Sequence, residues 1–260
     1  MTAGHVEVRC YAGLVDLAGA AEQHVPIGTP RSVKDVVESL GVPHVEVGLL
    51  VVDGVAVDFD RRVGGGERIA AYPPFTAVRP PATGPGSETD LFPEPPDPRR
   101  FVLDVHLGTL ARRLRWLGFD TWWRSDADDT ELAAVSADQA RILLSRDRGL
   151  LMRRQVVHGY CPRAQDPQLQ LLEVADRYRL APRAAPGTRC IRCNGDLEPV
   201  DKQAVLHRLP PRVRTGQDRF TRCSSCSRVY WPGTHRGPLD AVTARVQEHG
   251  GTGGLSPEHT

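Results

Sequence analysis

The sequence predicts an α/β multidomain chain: an N-terminal β-grasp module, a central α/β/α domain on a parallel sheet, and a small C-terminal ribbon held by cysteines. Three observations predict it. Residues 5–75 alternate short apolar strands with one helical stripe, as a small mixed sheet would. Residues 101–145 place continuous apolar runs between helical patterns, the mark of strands buried on both faces. Residues 187–236 hold two C-x-x-C pairs, which in a reducing compartment favour a bound metal over disulfides.

Length and composition agree with several units. The 260 residues exceed one small module, and 40% hydrophobic residues suffice for real cores. No stretch approaches the roughly 18 consecutive apolar residues that a membrane span needs. Met1–His5 lacks a basic segment followed by an apolar one, so the expectation is a cytoplasmic, soluble protein. The net charge of +1 hides an uneven distribution: residues 1–80 carry 7 Lys/Arg against 10 Asp/Glu, and residues 181–240 carry 11 against 5. A basic second half suits a polyanionic partner.

The first module spans 1–76. Val6, Val8 and Cys10 alternate with polar residues along a half-buried strand. Val33, Val36, Val37 and Leu40 form a helical stripe, with Ser32 and Asp35 as a capping box and Gly41 as the stop. Leu49–Val52 and Val55–Val57 flank Asp53-Gly54, a hairpin signal because the tight turn needs positive φ twice. A last strand falls near Arg68–Tyr72. This order resembles the ubiquitin-like fold of small sulfur-carrier proteins. Sulfur carriage needs a free Gly-Gly carboxylate, whereas Gly64-Gly65-Gly66 is internal, so docking to a protein or RNA partner is the expected role. Residues 77–98 read as a Pro-rich linker that lets the module reach a partner independently.

The core, 99–184, opens with the strand Phe101–Leu103 and Asp104. Leu107, Leu110, Ala111, Leu114 and Leu117 form a helical stripe, Arg112, Arg113 and Arg115 lie off it, and Gly118 ends the helix. Thr121–Trp123 reads as a second strand with at least one tryptophan in the core. Leu132, Val135 and Ala140 mark a second helix, Arg141–Ser145 a third strand, Gln155–His158 a fourth, and Asp166-Pro167 another helix start. Asp104 and Asp147 each follow an apolar strand, and Asp126, Asp128 and Asp129 lie in the loop entering the second helix. Ligands of open parallel sheets collect at the carboxyl ends of strands. Clustered carboxylates without nearby His or Cys favour Mg²⁺ or Mn²⁺. The competing reading is equally physical: Asp104, Asp147 and one of Asp128 and Asp129 serve as helix caps or turn residues. Arg112, Arg113, Arg115, Arg146 and Arg148 make a basic face suited to a phosphate backbone.

Cys190-x-x-Cys193 and Cys223-x-x-Cys226, 29 residues apart, have the spacing of a zinc ribbon over 185–240. Asn194-Gly195 supplies the positive-φ turn of the first knuckle. A closed four-sulfur site is structural, one Zn per chain. Around it, Lys202, Arg208, Arg212, Arg214, Arg219, Arg222 and Arg228 interleave with Phe220, Tyr230 and Trp231, a pattern suited to single-stranded RNA. The rings equally serve as packing for the ribbon, the arginines as solvated charge, and His235 as an RNA contact or an exposed residue. Cys10 and Cys161 read as buried thiols, and residues 241–260 as a disordered tail.

Phe101-Val-Leu-Asp-Val-His-Leu-Gly-Thr-Leu-Ala-Arg-Arg-Leu-Arg-Trp-Leu-Gly-Phe-Asp120 resembles the opening of the Mut-seven C-terminal ribonuclease family, a PIN-like group. Asp128-Asp-Thr-Glu-Leu132, Arg141-Ile-Leu-Leu-Ser-Arg-Asp-Arg148 and Val229-Tyr-Trp-Pro-Gly-Thr-His235 resemble its later blocks in the same order. The resemblance implies a PIN-like fold preceded by a ubiquitin-like module, a Mg²⁺ or Mn²⁺ site and RNA cleavage. It places the acids on Asp104, Asp128 or Asp129, and Asp147, with Asp129 favoured in the middle block, and leaves Asp126 and Asp166 as candidates for a fourth. Val105-His106 stands where the family commonly has Gly-Met, a departure that bears on substrate fit. Arg112, Arg115, Arg146, Arg148, Arg222, Trp231 and His235 are the expected RNA contacts. The alternatives are a non-catalytic RNA-binding protein and an interaction adaptor.

Overall fold

The computed structural model describes residues 4–75, 93–232 and 237–251. In chain order the elements are β1 (Gly4–Cys10), α1 (Leu14–Ala18), β2 (Glu22–Ile27), β3 (Arg31–Ser32), α2 (Val33–Ser39), β4 (Leu49–Val52), β5 (Val55–Val57), β6 (Arg62–Val63) and β7 (Arg68–Tyr72). Next come β8 (Arg100–Leu103), α3 (Gly108–Trp116), β9 (Asp120–Trp122), α4 (Asp129–Asp138), β10 (Ile142–Leu144), α5 (Arg148–Leu151), β11 (Gly159–Tyr160) and α6 (Pro167–Tyr178). The chain ends with β12 (Leu197–Val200), α7 (Lys202–Val205), α8 (Pro211–Gly216), β13 (Phe220–Cys223), β14 (Val229–Tyr230) and α9 (Gly237–Gly251). Two compact units result: residues 1–95 with 129–161, and residues 96–128 with 162–260.

In the first unit, the N-terminal strands form a five-stranded sheet of order β2-β1-β7-β4-β5, with β1 parallel to β7 and the other neighbours antiparallel. That arrangement is the ubiquitin-like β-grasp. Its core comes from the alternating side chains expected of half-buried strands, Val6, Val8 and Cys10 among them, packed with Val33, Val36 and Val37 of α2. Ser32 and Asp35 make the capping box, each side chain accepting from the other residue's N–H. The hairpin turns on Asp53 at φ 49° and Gly54 at φ 84°, as its sequence requires. Helix α1 carried no clear signal, being only five residues long.

The same unit contains β10, parallel to β11. Ile142, Leu143 and Leu144 are all buried, so β10 is covered on both faces, as parallel strands are. The fourth strand falls at Gly159–Tyr160 rather than Gln155–His158; Val157 is 56% exposed and lies in the loop before it. Helix α4 stops at Asp138, short of Ala140, whose φ is 48°.

In the second unit, β8 runs parallel to β9, and Phe101, Val102 and Leu103 are buried in succession. Phe101 meets Phe119 and Tyr178 edge to face. The expected stripe of Leu107, Leu110, Ala111, Leu114 and Leu117 is buried, after a 3-10 turn over Val105–Leu107. Neither tryptophan of the second strand is core: both are half-buried, Trp122 beneath the Arg124 guanidinium and Trp123 donating to the Val105 carbonyl. Strand alternation fixes their opposite directions, but a strand at this position has cover enough for neither ring.

Strands β12, β13 and β14 form the antiparallel sheet of the ribbon. The tail expectation is corrected for 241–251, which belong to α9. Val242 and Val246 lie one turn apart and are buried, an amphipathic pair masked in sequence by the glycines that follow. Residues 252–260, the linker as far as 92, and His235 lie outside the described residues. Among the described residues, no helix is long and apolar enough to cross a membrane.

Candidate functional site

The expected acids stand where strands give way to helices. Asp104 follows β8 directly, is 8% exposed, and accepts from the His106 N–H at 3.4 Å through Oδ1. Asp147 follows β10 by three residues. Its Oδ1 accepts from the Gly149 N–H at 2.7 Å and the Leu150 N–H at 3.3 Å, capping α5, while Oδ2 takes no hydrogen bond among the described residues. Asp128 is exposed just ahead of α4, and Asp129 is the first residue of that helix, its Oδ2 3.8 Å from Arg153 Nη2. Asp104 and Asp128 fall in the second unit, Asp129 and Asp147 in the first. The two candidates for a fourth acid are engaged locally. Asp126 pairs with Arg124 at 3.0 Å, and that hydrogen bond holds its carboxyl below the usual range. Asp166 caps α6, with the Leu169 and then the Gln168 N–H lowering its carboxyl.

Capping and metal ligation compete for different oxygens of one carboxylate. A cap takes one oxygen and leaves the other available, as at Asp147, where both capping bonds fall on Oδ1.

The basic face is corrected at Arg115. Arg115 is 3% exposed: Nε donates to the Thr121 carbonyl at 2.9 Å, and Nη1 donates to the carbonyls of Arg192 at 3.0 Å and Ile191 at 3.4 Å. It lies off the leucine stripe but on the side the ribbon covers, so it ties the ribbon to α3 and β9 and does not face solvent. Burial lowers its pKa, against the raising influence of Cys190, Cys193 and Asp120. Arg148 is exposed, and its Nη1 donates to the Leu17 carbonyl of the N-terminal module at 2.7 Å. Arg112, Arg146 and Arg222 are exposed. Trp231 is half-buried against the ribbon's small core of Val205, Leu209 and Phe220, the packing role weighed for it.

The structure brings the four cysteines together. Their Sγ atoms all lie within 4.8 Å of one another, Cys190 to Cys226 at 3.7 Å and Cys193 to Cys223 at 3.4 Å. Tetrahedral zinc with Zn–S of about 2.3 Å sets its sulfurs roughly 3.8 Å apart, so the donor set fits that ion. Each knuckle is shaped by a left-handed residue, Asn194 at φ 70° and Ser227 at φ 57°. Burial opposes ionisation of Cys190, yet hydrogen bonds from Tyr230 Oη at 3.0 Å and from the Cys193 and Arg192 N–H groups outweigh it and bring the thiol down to about 6. Burial pushes Cys193 up to about 12, its sulfur neighbours adding to the rise.

The ribbon is tied to the core by groups that the spacing of cysteines does not announce. The Asn194 side chain donates to Asp120 and accepts from the Thr121 N–H; the Ala185 N–H donates to the Leu117 carbonyl, and the Gly187 N–H to that of Trp116. Beside these ties lies a cavity of about 680 Å³, lined by Trp116, Phe220, Tyr230 and Trp231 with Arg189 and Arg219. The only signal for Asn194 in the sequence is its place after Cys193; for Arg115 there is none.

The chain belongs to the Mut7-C RNAse domain family, whose model matches residues 99–242. The Mut7-C ubiquitin family model matches residues 4–79. Membership supports a ribonuclease-type role. No curated protein matches the chain. Among solved structures, it is similar to small archaeal modifier protein 1 of Haloferax volcanii, with 22% identity over 28% of this chain and 99% of that one at a TM-score of 0.25. It is also similar to a putative molybdopterin converting factor, subunit 1, of Pyrococcus furiosus, with 21% identity over 28% of this chain and 99% of that one at a TM-score of 0.24.

Proposed function

We propose that the chain is a Mg²⁺- or Mn²⁺-dependent ribonuclease that hydrolyses RNA phosphodiester bonds, with Asp104, Asp129 (or Asp128) and Asp147 holding the catalytic ion. The observation that carries the reading is the family match over the strand-end acids, supported by Asp147, whose cap uses only Oδ1. A divalent ion bound there supplies Lewis acidity to the phosphate and to a water. The carboxylates supply hard oxygen donors, and the caps at Asp104 and Asp147 hold those donors in one orientation before substrate arrives. Arg112 and Arg146, both exposed, are the proposed contacts to phosphates. The ribbon holds structural zinc through Cys190, Cys193, Cys223 and Cys226, and its aromatic cavity with Arg189 and Arg219 suits a stacked, single-stranded segment of RNA.

The test is cleavage of end-labelled RNA by zinc-loaded protein freed of Mg²⁺ and Mn²⁺ by buffer exchange, with either ion added back. EDTA is avoided because it also strips zinc. Cleavage is expected only with added ion, and Asp104→Asn or Asp147→Asn abolishes it while RNA binding survives. Mutants as active as wild type would overturn the assignment. The engagement of Asp126 and Asp166 elsewhere favours one second reading, a non-catalytic RNA-binding protein; RNA binding without cleavage by the wild type is its signature.

A further inference from the structure

The N-terminal module is held on residues 129–161 by three separate polar ties. Glu46, only 2% exposed, reaches from the module and accepts the Cys161 N–H at 2.7 Å through Oε1. His44 bridges Glu38, with Nδ1 2.8 Å from Oε1, and the Val156 carbonyl, with Nε2 at 3.0 Å. Arg148 Nη1 lies 2.7 Å from the Leu17 carbonyl and 3.5 Å from that of Gly41. A buried carboxylate that accepts a hydrogen bond across such a contact is costly to expose without it. The independent reach expected from the linker is therefore corrected: the module is docked.

Arg148 is the tie with consequence. Leu17 and Gly41 sit at the ends of α1 and α2, where carbonyls lack intrahelical partners and a cation is favoured. Gly41 has φ +83°, and a Cβ there would lie 2.8 Å from Arg148 Nη1, so glycine is needed both for the turn and for the guanidinium's approach. The neighbouring residue is Asp147, whose Oδ1 is fixed by the Gly149 and Leu150 N–H groups. The peptide joining 147 to 148 is thus held from the helix side and from the module side at once.

We infer that the ubiquitin-like module is a fixed clamp on the Asp147 turn, with Arg148 as a positioning residue that orients the Asp147 carboxylate. The inference rests on the ribonuclease reading for its catalytic consequence and on unit geometry alone for the clamp itself. With its guanidinium engaged by the module, loss of Arg148 is expected to lower turnover and leave RNA affinity alone.

The experiment uses the full-length chain and two readouts: amide hydrogen exchange at Gly149 and Leu150, and steady-state cleavage of a short RNA with Mn²⁺. Arg148→Met is expected to speed exchange at both amides and to lower kcat, each by about tenfold, with KM unchanged. Arg148→Lys, which keeps one donor, restores part of both. Gly41→Ala, acting from the module, reproduces the Arg148→Met effects and guards against a folding defect confined to α5. A raised KM with kcat and exchange unchanged would overturn the proposal and make Arg148 an RNA contact. Wild-type protein without cleavage sinks the ribonuclease reading, and the exchange arm then decides the clamp by itself.

Discussion

Asn194 donates from its side-chain amide to the Asp120 carboxylate at 2.7 Å, and its amide oxygen accepts from the Thr121 N–H at 2.9 Å. A residue of the first cysteine knuckle thereby acts as a partner for β9. Loss of the metal should then be felt in the nuclease core. Cys190→Ser is expected to reduce zinc from about one per chain to near none and to speed amide exchange at Thr121. Unchanged exchange at Thr121 in the metal-free variant would separate the ribbon from the core.

Removing the buried Arg115 guanidinium leaves the carbonyls of Thr121, Ile191 and Arg192 without their donor. Arg115→Met is expected to cost about 3 kcal/mol, read from denaturant midpoints, without a change in RNA affinity at equal folded fraction. Arg112 is exposed, and Arg112→Ala is expected to change stability by less than about 0.5 kcal/mol.

Tyr230 Oη lies 3.0 Å from Cys190 Sγ, a hydrogen bond that orients a ligand sulfur. Burial, with the Cys190 contact, pushes the phenol's pKa up, so it remains a donor at neutral pH. Tyr230→Phe is expected to weaken zinc binding by about tenfold in chelator competition, with the fold unchanged by circular dichroism. Equal zinc affinity in the variant would make the ring a packing group only.

The Gly64 N–H, aided by those of Glu67 and Gly65, holds the Glu67 carboxyl below its ordinary value of 4.5 against the opposing effect of burial. A carboxyl whose folded pKa is depressed contributes stability above its unfolded pKa and loses it as pH falls through the folded one. The β-grasp should therefore weaken on acidification below about pH 4.5, and Glu67→Gln should flatten that limb of the curve. Urea midpoints from about pH 6 to pH 3 are the measurement, and identical slopes in the two proteins would remove Glu67 from the account.

Local rules made much of the chain legible. Ser32 with Asp35, Asp53 with Gly54, and Asp166 with Pro167 each act within a few residues, so their spacing carries the geometry. The same holds for Phe101–Leu103 and Ile142–Leu144, whose unbroken apolar runs announce strands covered on both faces. The four cysteines were legible because metal chemistry imposes the same short spacing twice. The helix over Gly237–Gly251 was missed because two valines one turn apart are a faint stripe beside a glycine-rich end.

The roles of the arginines were not legible. Arg112, Arg115 and Arg148 are one residue type with one charge, and nothing nearby in sequence separates a solvated guanidinium from a buried rivet or an intramolecular latch. Sequence by itself determined most of the elements, several of their caps, the strand-end positions of the acids and the four-cysteine cluster, since these depend on contacts between near neighbours. Only the tertiary structure decided that Arg115 closes on Arg192 and Arg148 on Leu17, because those acceptors are backbone carbonyls 77 and 131 residues away, and every residue but the chain's last carries such a carbonyl.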